Sequence, residues 1–430
     1  MQKAKTLDDI YNNFEGNRPL SENEYDFFIN IYDNKLKRFI GNIKRNKNKQ
    51  NIFFIAGQRG NGKSTILNNL KHENKEFEES YEIRHIQAME VFKYDDIDIV
   101  DILLGIGFNL IDNNDLEKPK KEELEKEFKL ALQEVEAINS GELTKVENNS
   151  TNGTSQISVD ATLTAKVGFL SLFSAKSSLS STYKADENIR KEAKRIYKFK
   201  NKDLLTMINS LIQKYRQMKN SSKEILLILD GLEKLNNIDD VFTKDIDILR
   251  DLECFKIITM PVYLKGIVDI YNVKAIDFTM EMDKDGTIKN LELLKDVITS
   301  RIENLDLITD EAMKLAIKMS GGNLRQLLEI IQKASTEAID IFETDAIDIE
   351  EVQSAIKLIQ GDLDYKVQVY AQFLKEISIA HIVNKENKDD LIDTLRSGLV
   401  FAYLNGKAYY DINPIIKDNL NRLSWNHFYP

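Results

Sequence analysis

Ile52-Phe53-Phe54-Ile55-Ala56-Gly57-Gln58-Arg59-Gly60-Asn61-Gly62-Lys63-Ser64-Thr65 is the stretch that decides the fold. Its first five residues have the composition of a parallel strand buried on both faces. The next eight fit G-x-x-x-x-G-K-[ST] at every fixed position, and a helical stretch follows from Ser64 to Leu70. Glycines let the backbone wrap around a phosphate with its N–H groups pointing inward. Lys63 is expected to reach the β- and γ-phosphates as a point charge, and Ser64 to ligate Mg²⁺ through its hydroxyl. Gly57, Gln58, Arg59, Gly60, Asn61, Gly62, Lys63, Ser64 and Thr65 are therefore the expected cofactor-binding set. Arg59, inside the loop, is a candidate contact for phosphate or for a partner.

A second apolar run, Ile225-Leu226-Leu227-Ile228-Leu229, ends in Asp230. An acid at the carboxyl end of a parallel strand is where such a sheet holds Mg²⁺ through water. One carboxylate cannot both hold the metal and take a proton from the attacking water. Position 231 is Gly, so Glu233 is the candidate general base. The competing reading of Glu233 is a solvated carboxylate at a helix start.

Around these motifs the 430 residues are 42% hydrophobic and 30% charged, a globular composition rather than a disordered one. At about 150 residues per domain the expectation is two to four domains. The net charge of −11 argues against electrostatic nucleic-acid binding by the chain as a whole, although Lys44 to Lys49 is locally basic. Cys254 is the only cysteine, which points to a reducing, cytoplasmic compartment. No window suits a membrane helix, and Met1 to Ile10 lacks the apolar core of a secretory signal. The four histidines, His72, His85, His381 and His427, show no metal-ligand spacing.

Periodicity predicts helices over about 22–45, 96–111, 120–137, 187–218 and 238–250, and strands at Tyr81–Ala88 and Phe255–Thr259. From 289 onward it predicts helices at about 289–304, 310–319, 323–340 and 348–359, with Thr309 opening the second of them. Residues 139–156 read as a loop. Strict alternation from Ile157 to Val167 reads as a strand, with 169–184 as its return; packing or assembly is favoured for this hairpin over a membrane barrel. Asn405-Gly406 between two six-residue runs signals a second hairpin.

These residues resemble the AAA+/STAND class of P-loop ATPases, in which the second motif often reads apolar run, Asp, two residues, acid. Ser320-Gly321-Gly322-Asn323-Leu324-Arg325, after Leu294 to Arg301, is similar to the helical lid of origin-recognition-type AAA+ ATPases. The chain as a whole resembles bacterial AAA-like ATPases of defence or mobile loci. The resemblance implies an α/β fold: a P-loop NTPase parallel sheet with an α-helical lid and a small C-terminal winged helix. The implied divisions are an N-terminal helical segment 1–45, an ATPase core 46–275 with an insertion at about 139–186, a lid 276–360 and a winged helix 361–430.

It also implies ATP with Mg²⁺ and slow hydrolysis. Arg325 would be the lid's γ-phosphate sensor. Thr259 would stand where the sheet's own sensor usually is Asn or Arg. Arg250 is either a finger toward a neighbouring subunit or a helix-end arginine complementing the dipole. The expected function is a nucleotide switch controlling assembly as a homo-oligomer or engagement of an effector partner, in the setting of antiphage defence. The alternative is a DNA-binding initiator or loader using the winged helix. Residues 361–430, with eight Lys/Arg against nine Asp/Glu, are less basic than DNA readers usually are.

Overall fold

The structure is a computed structural model. It describes all residues except 33, 47–50, 74–75, 113–115, 140–178, 220–221, 267–273, 283–286, 405–407 and 426–430. The architecture is α/β, with a five-stranded sheet and many helices. The strands are β1 (Ile52–Ala56), β2 (Tyr81–Gln87), β3 (Glu224–Asp230), β4 (Phe255–Met260) and β5 (Lys274–Asp277), in the order β2-β3-β4-β1-β5. The pairs β2–β3, β3–β4 and β1–β5 are parallel. β1 and β4 are buried along their whole length, and β3 beyond its first residue, as their apolar composition requires.

The chain divides into two compact units. One comprises Met1–Lys47, Phe53–Glu79 and Thr259–Pro430; the other comprises Asn48–Ile52 and Ser80–Ile258. In the first, the expected helices from 289 onward are Leu291–Thr299, Asp310–Ser320, Leu324–Glu337 and Ile349–Val369. Thr309 caps its helix by accepting from Ala312 N–H at 3.2 Å. Ala371–Ala380, Lys388–Ser397 and the antiparallel pair β6 (Val400–Leu404) and β7 (Ala408–Ile412) follow, so the C-terminal strands do form a hairpin. Its Asn405-Gly406 turn lies outside the described residues.

Several expectations give way. The helix over 22–45 is two pieces, Glu22–Phe27 and Asn34–Arg45; Asn30 Oδ1 accepts from Tyr32 N–H at 3.0 Å, a local turn that competes with helix. The helix over 187–218 breaks into Glu187–Tyr197 and Asn201–Lys219, leaving Phe199 exposed at the break while Tyr197 is buried. Residues 179–185 are helix rather than returning strand. Leu179 and Tyr183, four apart, are both buried, and Tyr183 Oη donates to Asp101 Oδ1 at 2.8 Å. The alternating stretch 157–167 lies outside the described residues. β5 was not foreseen, and the 275/276 division falls inside it. The 360/361 division falls inside the continuous helix Ile349–Val369. No helix among the described residues is long and apolar enough to cross a membrane.

Candidate nucleotide site

In the first unit the phosphate loop joins β1 to the helix Lys63–Asn68. Gly60 and Gly62 take the left-handed φ values of +91° and +75° that glycine tolerates. Lys63 is buried and folds back across the loop, its Nζ donating to Gly57 O at 2.7 Å and Gln58 O at 3.1 Å. Those bonds hold the ammonium against the loop's own backbone. Tyr32 Oη donates to Asn61 O. Burial raises the Tyr32 phenol's pKa far above its ordinary range, so it remains a donor. Asn61 Nδ2 donates to Phe278 O at 3.2 Å.

Ser64 is half-buried at the start of the helix. The Thr65 hydroxyl accepts from Leu20 N–H at 3.2 Å, and Asn68 Nδ2 donates to Leu20 O at 3.0 Å, so the N-terminal segment is tied to the loop's helix. Arg59 is exposed.

The helix Leu324–Glu337 meets the loop directly. Asn323 Oδ1 caps that helix by accepting from Gln326 N–H at 3.1 Å, while its Nδ2 donates to Arg59 O at 2.9 Å. A Cβ at Gly60 would overlap the Asn323 side chain, so the close approach depends on glycine there. Arg325 N–H donates to Gly60 O at 3.2 Å, which puts this residue beside the loop. Its guanidinium points elsewhere: Nε donates to Gly16 O at 3.3 Å, and the side chain lines a cavity with Tyr11, Asn17 and Glu329. Thr259 is fully buried near the end of β4.

In the second unit Asp230 closes β3 and is fully buried. Glu233 follows Gly231, which takes φ +85°, and lies half-buried in the single turn Leu232–Lys234. Parallel register sets Gln87 opposite Asp230. His85 Nε2 stands 3.8 Å from Asp230 Oδ2 and 3.0 Å from Gln87 Nε2. Sequence reading missed His85 and Gln87. The strand Tyr81–Ala88 was legible, but its place beside β3 was not. Arg250 is half-exposed and pairs with Asp247 at 2.8 Å and Asp251 at 3.8 Å, the surroundings of a helix-end arginine. Among the described residues no cluster of three metal-ligating side chains occurs.

No protein-family model and no curated protein matches the chain. Solved structures similar to it include the Walker-type ATPase paby2304 of Pyrococcus abyssi, at 12% identity and TM-score 0.44 over 94% of this chain and 98% of that one. The Aeropyrum pernix ORC1 protein in complex with DNA aligns at 11% identity and TM-score 0.39, covering 94% and 97%. Thermotoga maritima RuvB aligns at 12% and 0.39, covering 95% and 98%. These likenesses are distant.

Proposed function

We propose that the chain binds ATP with Mg²⁺ at Gly57–Thr65, hydrolyses it slowly, and uses the bound state as a switch. The observation that carries this reading is Lys63. It is buried, aimed by two carbonyls, and set in a glycine loop that the helix carrying Asn323 and Arg325 touches from the same unit. A buried lysine in a glycine loop at a helix start is a donor set that fits polyphosphate. Ser64 and Asp230 are the proposed magnesium ligands, and Mg²⁺ would neutralise charge on the β- and γ-oxygens. Glu233 is the proposed base, Thr259 a hydroxyl that polarises water, and Arg325 the γ-phosphate sensor. For that last role the guanidinium must leave Gly16. The nucleotide state would then govern self-assembly or engagement of an effector partner, antiphage defence being the setting the resemblance implies.

Turnover of γ-labelled ATP tests the hydrolytic part. Glu233→Gln keeps the side chain's shape and loses its basicity, so turnover should fall by about 10²–10⁴-fold while ATP binding is kept. Equal turnover in the two proteins would move the base elsewhere.

A further inference from the structure

The outer edge of β6 is covered in an unusual way. Along β6, Leu399 O accepts from Asn413 N–H at 2.8 Å, so the odd-numbered residues face β7. Val400, Ala402 and Leu404 therefore offer their backbone groups to the other side. Leu404 is taken by backbone: its N–H donates to Met280 O at 3.0 Å, and its O accepts from Met282 N–H at 2.8 Å. Val400 and Ala402 are taken by one side chain, the primary amide of Gln58. Its Nε2 donates to Val400 O at 3.0 Å and its Oε1 accepts from Ala402 N–H at 2.8 Å. That is the donor–acceptor pair a neighbouring strand residue would present. Gln58 is buried, and its own backbone O accepts from Lys63 Nζ.

We infer that Gln58 is a positioning residue that splices the phosphate loop into the edge of the C-terminal hairpin, so that occupancy of the loop is read by β6. The inference rests on the nucleotide reading above and goes beyond it by naming the route. One residue holds both the lysine that meets phosphate and the strand that reports it. Both amide bonds are at ordinary lengths, so a displacement of the Gln58 backbone beyond what its side-chain torsions absorb drags or releases Val400 and Ala402. A ligand that fixes the loop fixes the edge, and a hairpin pulled away by a partner loosens the loop, because coupling between two sites is reciprocal.

Hydrogen exchange of the peptide spanning Gly398–Leu404 tests this, at an ATP·Mg²⁺ concentration that calorimetry shows to saturate each protein. In the wild type, ATP should slow exchange there by about fivefold or more. Gln58→Leu, which removes both bonds, should lose the response. Gln58→Glu can still accept from Ala402 N–H but sets an oxygen against Val400 O, and should respond weakly. Should Gln58→Leu not fold, Gln58→Met serves instead: it keeps the length and bulk of the side chain, removes both bonds, and should lose the response in the same way. Saturation of the wild type without any change at β6, or a full response in Gln58→Leu, would overturn the inference. Absence of ATP binding by the wild type would instead defeat the nucleotide reading, and the inference with it.

Discussion

Lys63 and Gly60 are opposite answers to the same demand. The loop combines a buried cation with a backbone that lets other chain segments come close. Lys63 supplies the first through two carbonyl contacts. Gly60 supplies the second with φ +91° and no Cβ against Asn323. Gly60→Ala forces an alanine into the left-handed region at about 1–2 kcal/mol and adds the overlap with Asn323. Its melting temperature should drop below the wild type's, and an unchanged value would mean that the Asn323 contact does not constrain the loop. Most of the loop was legible because its signal is local, eight spaced positions between an apolar run and a helix. The partners of Gln58 were not. Val400 and Ala402 stand 342 and 344 positions away, and nothing near Gln58 in sequence announces a strand edge.

Local chemistry at the elements decided which predictions held. The helix Ile99–Asp112 begins with a reciprocal pair, Asp98 N–H to Asp101 Oδ2 and Asp101 N–H to Asp98 Oδ1, both at 3.1 Å. Asp101 is buried against Arg190 at 3.4 Å and Lys194 at 2.9 Å. Burial first, and then the charge of Asp101, push the Asp98 carboxyl up to about 6, against the pull of Lys194. The folded value lies above the ordinary 3.8, so folding favours the protonated acid. Its contribution is full below the ordinary value and is lost as pH rises through about 6. Asp98→Asn keeps an acceptor for Asp101 N–H and removes the charge. It should raise the melting temperature at pH 7.5 and lose the advantage at pH 4. The same advantage at both would show that ionisation of Asp98 is not the cause. Elements with a long apolar pattern, β1, β3 and β4, were readable. β5 was not, because Lys274-Ala275-Ile276-Asp277 has no strand signature and is strand through its pairing with β1. At Leu179–Ala185 the Ser-rich composition hides a helix that only the four-residue spacing of Leu179 and Tyr183 signals.

For the molecule as a whole, the first unit gathers the phosphate loop, the helix with Asn323 and Arg325, the N-terminal segment and the C-terminal hairpin. Arg325 has its backbone N–H on Gly60 O and its guanidinium on Gly16 O. A Cβ at Gly16 would lie 2.7 Å from Arg325 O, so the N-terminal segment is packed tightly against this residue. If Arg325 senses the γ-phosphate, Arg325→Ala should weaken ATP binding by about 10–150-fold and leave ADP binding nearly unchanged, the range a lost charge-assisted contact implies. Equal losses for both nucleotides would make Arg325 the tether of Gly16 instead.

Every role proposed for these residues requires the loop to bind nucleotide. Titration calorimetry of ATP·Mg²⁺ into the wild type and Lys63→Ala, at one ionic strength, measures that directly. The wild type should bind saturably, and Lys63→Ala should bind at least about tenfold more weakly, since it loses a charge-assisted contact to phosphate. Identical affinities, or no heat from the wild type, would contradict the assignment of Gly57–Thr65 as the nucleotide site.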